Sequence, residues 1–262
     1  MSYNCGDKAC SYTDTNGNDY TEAADGGGIG ARVGSLINLY GGKVLHNWTG
    51  GFGGGVCLWN SQGVLKGTEI TNNAAGYGGG VAIAGCSAQN ADGDGIDTFS
   101  NLTMTGGLIA YNEAEKRNNS DSTGVGGGIC AGTSGRPNGS ILDLQGGQIK
   151  QNKAQNGGGV AAYAGTVTAL KMSGTAEIVG NAAYEHGGGA YFTNHNVGYK
   201  KNDGKCIHPL LEMSGGARID TQNTVYFENV VENNDNVQVP VKVNGNLNSS
   251  GTVAIFEFSQ EF

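Results

Sequence analysis

Two sets of residues in this sequence have the types and spacing to do chemistry. The first is the run Asn90-Ala91-Asp92-Gly93-Asp94-Gly95-Ile96-Asp97. Oxygen donors at alternate positions, with glycine at the turn, match the opening of a calcium loop, where ligands at positions 1, 3 and 5 wrap one ion. Asn90, Asp92, Asp94 and Asp97 are the candidate ligands. The match is incomplete, because Asn stands at position 1 and Asn101 falls where a bidentate Glu belongs. A solvated acidic turn is the other reading of the same residues. The second set is aromatic: Trp48, Trp59, Tyr163 and Tyr191. Rings exposed on a flat sheet would stack on sugar faces, whereas rings turned inward would only fill space.

What must position these residues is a repeat. Six glycine triplets recur, each followed by a small or branched apolar residue, as in Gly53-Gly54-Gly55-Val56 and Gly78-Gly79-Gly80-Val81. Five are preceded by a branched residue with Asn three positions on: Val44 and Asn47, Ile70 and Asn73, Ile109 and Asn112, Ile149 and Asn152, Ile178 and Asn181. Two residues after each Asn the side chain is small. Upstream lies an alternating run, such as Leu102-Thr103-Met104 or Leu142-Asp143-Leu144, with apolar residues on one face and mostly polar ones between. Period-two alternation is a strand signal. Each repeat offers three short strands: the Leu-x-Leu/Met run, the stretch around the Ile, and the Val-x-Ile after the triplet.

A unit this small cannot bury its own apolar face and must stack on its neighbours. The expected fold is all-β, a right-handed single-stranded parallel β-helix with three short strands per coil and about 4.8 Å between coils. Its interior would be ladders of Leu, Met, Ile and Val. The Asn column is expected at a bend, where Asn tolerates left-handed geometry and bonds to its copies one coil away. The glycines serve positive φ and close backbone approach.

Trp59 and Tyr163 then share a column, three residues past the Val of their triplets, while Trp48 follows its bend Asn and Tyr191 follows the sixth triplet. Residues 26–224 carry the repeat. Residues 1–25 form an amino-terminal cap or partial coil, in which Asn18 and Ala23-Ala24 precede the first triplet much as in later copies. Residues 225–262, where the repeat decays, form terminal coils or a cap. Steps between successive branched residues are 26, 39, 40, 29 and 41 residues. The extra length leaves as loops, and three of the insertions, at 85–100, 132–139 and 194–208, follow the strand after the triplet.

With 15 basic and 23 acidic residues the net charge is −8, so nucleic acid and anionic membrane are poor partners. Apolar runs reach only four to six residues, too short for membrane insertion. The polar start Met1-Ser2-Tyr3-Asn4 lacks the apolar core of a signal peptide. The composition suits an extracellular or cell-surface segment of a longer multidomain chain. Six cysteines include no Cys-x-x-Cys. Cys57 and Cys130 share a register but lie two coils apart, about 10 Å, too far to bond. No cofactor is required, and calcium is the ion the residues suggest.

The Ile-x-x-Asn-x-Ala…Gly-Gly-Gly-Val phrase resembles the repeats of chlamydial polymorphic outer-membrane proteins, which pair a Gly-Gly-Ala-Ile-like motif with Phe-x-x-Asn. It also resembles β-helical segments of large surface proteins of Gram-positive gut bacteria. There Met-Ser-Gly-Gly-x-Ile-x-x-Asn recurs, and Met213-Ser214-Gly215-Gly216-Ala217-Arg218-Ile219 is similar. The likeness covers residues 26–258. It departs in having Ile before the Asn, and in lacking a barrel-forming carboxy-terminal region. The resemblance implies a non-enzymatic adhesin or stalk of a bacterial surface protein, with a glycan or a host surface protein as partner.

The alternative is a carbohydrate-active enzyme, since pectate-lyase-like β-helices host polysaccharide lyases and glycoside hydrolases with carboxylates on an exposed strand face. Adjacent Asp-Asp is absent. Glu185-His186-Gly187 and Arg218-Ile219-Asp220 match the hydrolase elements only in part. A lyase site would need Asp92, Asp94 and Asp97 beside Lys116 or Arg117. No residue is assigned a catalytic role.

Overall fold

The computed structural model describes residues 5–6, 10–13, 19–22, 25–32, 34–84, 87–89, 95–97, 100–116, 123–132, 140–163, 169–193, 210–220, 223–228, 241–243 and 256–258. Among these there is no helix. Four parallel sheets run along one axis, and each chain turn from Ile29 to His186 places one strand in each. The second coil contains Val56–Trp59, Gln62–Leu65, Thr68–Thr71 and Ala74–Ala75. The chain is a parallel β-helix.

Three sheets correspond to the three expected strands. Among the described residues the sheet that follows the triplets has eight strands, from Ile29–Arg32 to Phe256–Phe258; the Leu/Met sheet has seven, ending at Val241–Val243; the Ile sheet has six. Register aligns the apolar columns residue for residue: Val44, Ile70, Ile109, Ile149, Ile178 and Ile219 stand in line, as do Leu39, Leu65, Met104, Leu144, Met172 and Met213. These side chains point inward and merge into one continuous core. The fourth sheet, absent from the three-strand expectation, is built from the Asn-x-small segments. Its strands shrink to two residues at Trp48–Thr49, Ala74–Ala75 and Glu113–Ala114, too short to show alternation in sequence.

The asparagines behave differently from expectation in one respect. The left-handed residue is the one before the Asn: His46, Asn72, Tyr111, Gln151 and Gly180 have φ between 54° and 60°. That turn drives the Asn side chain inward. Asn73, Asn112 and Asn152 are buried, and their amides form a ladder. Asn47 Nδ2 donates to Asn73 Oδ1, Asn73 to Asn112, Asn112 to Asn152, and Asn152 to Asn181, each at 3.0 Å, and Asn181 donates to Asn223 at 3.2 Å. Each Oδ1 also accepts the backbone N–H of the Asn one coil earlier. The second amide hydrogen of Asn112 reaches Ile70 O at 2.9 Å. Asn223 takes its rung although it lies four residues past Ile219 instead of three.

The triplets make room for this ladder. A Cβ on Gly80, the third glycine of its triplet, would lie 2.7 Å from Gly128 O and 2.9 Å from Asn112 Nδ2. The Asn that ends a turn therefore packs on the glycine that begins the same turn. The first glycine of each triplet takes positive φ, 64° at Gly78 for example.

Insertions leave at corners. The one at 85–100 opens as an antiparallel pair, Ser87–Gln89 with Gly95–Asp97. In the amino-terminal segment, Cys5–Gly6 joins the fourth sheet beside Trp48–Thr49. Asp19–Glu22 pairs antiparallel with Cys10–Thr13, so it is the Cys5–Gly6 strand, and not the stretch after Asn18, that extends the fourth sheet.

Two substitutions test this closure. Asn112→Ala strips the acceptor from two buried donors of Asn73 and should cost about 2–4 kcal/mol; Gly80→Ala should cost at least as much. Gly30→Ala, whose Cβ would meet nothing closer than 3.4 Å, should change stability by roughly 1 kcal/mol or less. Chemical denaturation midpoints of the three variants decide it.

Candidate binding face

The chain before each triplet folds over the outside of the triplet sheet. The positive φ of the first glycine turns it there, and Phe52, Tyr77 and Val125 form isolated parallel bridges that continue to Asn156 and His186. These residues cover the outward column Cys57, Ala82, Cys130, Ala161, Tyr191 and Tyr226. The product is a second apolar cluster outside the main core, built from Val125, Cys130, Ala161, Tyr163, Tyr191 and Tyr226 with Tyr77 against it.

Rings run along this face for most of its length. Phe52 stacks on Tyr77 with centroids 4.6 Å apart, and Trp59 meets Phe52 edge-on at 5.5 Å. At the other end Tyr191 stacks on Tyr226 at 5.8 Å, and the His186 ring lies on Tyr226 at 4.1 Å. Phe52, Trp59, Tyr77 and His186 are half-buried. Tyr163 and Tyr191 are 5% and 6% exposed, so they face their neighbours more than solvent.

Polar groups edge the carboxy-terminal end. Glu228 accepts hydrogen bonds from the Tyr191 hydroxyl and Thr193 Oγ1. Glu185 accepts from Gln155 Nε2 at 2.6 Å and Asn156 Nδ2 at 3.2 Å. The Gln155 bond holds the Glu185 carboxyl below its ordinary range, against a smaller opposing effect of burial. Burial first, then the bond to Glu228, pushes the Tyr191 phenol up, and burial raises Tyr163.

Of the residues predicted from sequence, Trp59, Tyr163 and Tyr191 fall on this one face. Trp59 pairs with Arg32 and Ala84, and Tyr163 pairs with Thr193. Trp48 does not join them. It is half-buried in the fourth sheet, beside Cys5 and Ala74. Sequence reasoning missed Phe52, Tyr77, His186, Tyr226 and Glu228. A signal existed for the first three, each directly preceding a triplet, but that position varies from Asp25 to His186 and carries no common side-chain type.

The candidate calcium ligands Asn90, Asp92 and Asp94 lie outside the described residues. Asp97 ends a strand, its backbone opposite Ser87. Among the described residues no group of three or more His, Cys, Asp or Glu is arranged to hold a metal ion, and no helix is long and apolar enough to cross a membrane.

Cys57 and Cys130 are buried free thiols, both in register with Ala82 and therefore two coils apart. Desolvation raises both, Cys130 to about 12. A thiol raised in the fold contributes stability below its unfolded pKa, and loses it as pH climbs from there toward the folded value. Stability should fall above roughly pH 8.5, with Cys130 alone accounting for about 2 kcal/mol by pH 10. Denaturation midpoints of wild type and Cys130→Ala between pH 7 and 10.5 check this; the variant should show a shallower decline.

Comparison with known proteins found no family model, curated protein or solved structure that matches the chain.

Proposed function

We propose that this chain is a non-enzymatic segment of a bacterial cell-surface protein, a stiff stalk that presents an adhesive face to glycans. The observation that carries the reading is the ring face on the outside of the triplet sheet, where Phe52 contacts both Trp59 and Tyr77 and all three keep part of their surface open. Half-buried rings with fixed orientation suit the apolar faces of sugars, because little rotamer freedom remains to be lost on binding. Beyond them the buried Tyr163, Tyr191 and Tyr226 continue the face. The continuous inner ladders supply the stiffness a stalk needs.

The test incubates the purified protein with a panel of plant and host polysaccharides, with and without calcium, and reads both retention and product release. Retention without cleavage is expected, and Trp59→Ala should weaken it by about tenfold. Cleavage that disappears in Asp92→Asn, Asp94→Asn would replace this reading with the carbohydrate-active enzyme.

A further inference from the structure

Among the described residues, the amino-terminal face of the first coil is unfinished in three of the four sheets. Ile29–Arg32, Leu36–Leu39 and Lys43–Leu45 are the last described strands of their sheets on that side. Their inward side chains Ile29, Ile37, Leu39 and Val44 are only partly buried. The matching residues one coil on, Val56, Leu65 and Ile70, are 1%, 2% and 0% exposed. The fourth sheet does continue: Cys5–Gly6 pairs with Trp48–Thr49 in the same parallel register that joins later coils.

The Asn ladder has a direction, and its two ends differ. In the interior each Oδ1 accepts the N–H and the Nδ2 of the Asn one coil earlier. Asn47 donates forward to Asn73, but among the described residues nothing donates back into Asn47 Oδ1. At the far end the Asn223 N–H turns to Asp220 O at 2.8 Å, where an interior rung would donate to the next coil. That end is closed. Among the described residues the amino-terminal end is an open acceptor.

We propose that the amino-terminal face of the first coil is a stacking surface for one further coil of this same repeat, the coil whose last strand is Cys5–Gly6, and that an Asn of that coil donates into Asn47 Oδ1. A second copy of the chain does not fit. Two amino-terminal faces would set acceptor against acceptor, and a carboxy-terminal end brings a ladder whose N–H is already used. A preceding coil of the same direction brings donors at the right height, three strands for the three open edges, and apolar residues for Ile29, Leu39 and Val44. Left bare, such edges are templates for unspecific pairing. In sequence Asn4 precedes Cys5 as Asn47 precedes Trp48 and Asn73 precedes Ala74; Asn4 lies outside the described residues.

The experiment builds that coil. The sequence of residues 53–73, which supplies three strands and a final Asn, replaces residues 1–4 directly ahead of Cys5 in the full chain. Hydrogen exchange is then read at Ile29–Arg32, Leu36–Leu39 and Lys43–Leu45, together with Tm. Exchange there should slow at least tenfold and Tm should rise on the order of 5 °C. A second fusion with one extra Gly before Cys5 shifts the register, turns the inward set outward and should give neither gain. A third, with the final Asn of the added coil replaced by Ala, should keep the strand protection and lose much of the Tm rise. Unchanged or faster exchange at the three strands overturns the proposal, as does equal protection by the register-shifted fusion.

Discussion

Each turn of this protein ends with a primary amide buried inside the coil, and the rest of the architecture follows from satisfying it. A buried carboxamide without partners costs several kcal/mol, and with all partners in place it is a fixed joint. Asn112 shows what full satisfaction takes: two donors from Asn73, an acceptor in Asn152, and a carbonyl from Ile70. None of these is available to an isolated turn. The ladder works only if neighbouring coils keep one spacing and one register, so the amide ties each coil to both neighbours more specifically than apolar packing alone. Steps between coils range from 26 to 41 residues, yet the ladder contacts stay between 3.0 and 3.2 Å. The extra residues have to leave at the corners, because a residue added within a strand would carry its Asn out of line.

The same joint dictates the glycines. The third glycine of a triplet lies under the Asn amide and under an Ile methyl group, with Ile109 Cγ2 3.0 Å from where a Gly80 Cβ would be. The second approaches the fourth sheet, where a Cβ on Gly79 would meet Glu113 O at 2.3 Å. The first reverses the chain through left-handed φ. That reversal throws the residue before the triplet onto the outside of the sheet. The outer aromatic face is thus a geometric consequence of closing the coil from within.

How far the sequence discloses this depends on whether a position is fixed by its side chain or by its backbone. The Ile, Leu/Met and Asn columns are fixed by side chains, so they repeat in type and were readable, including the pairing of Leu102 with Leu142 and of Met172 with Met213. The left-handed position is fixed by backbone and is filled by His46, Asn72, Tyr111, Gln151 and Gly180; the eye goes to the Asn beside it. The fourth sheet was invisible because in three successive coils its strands are only two residues long, too short to show a period. Asn223 looked displaced by counting from Ile219, but the amide reaches its rung all the same.

The outer face adds a reason why its residues were only half legible. Bulk is divided between the column in the sheet and the residue laid over it, and the division changes along the axis. Toward the amino-terminal end the large side chains are in the cover, Phe52 and Tyr77, while the sheet column carries Cys57, Ala82 and Cys130. Toward the carboxy-terminal end they are in the sheet, Tyr191 and Tyr226, with Asn156 and His186 as cover. Either arrangement fills the layer, since packing constrains the summed volume more than its origin. A search down one column therefore finds Trp59 and Tyr163 but not the covering rings Phe52, Tyr77 and His186. The full face emerges only when cover and sheet are taken together, because packing there constrains the summed volume and not the identity of any one position.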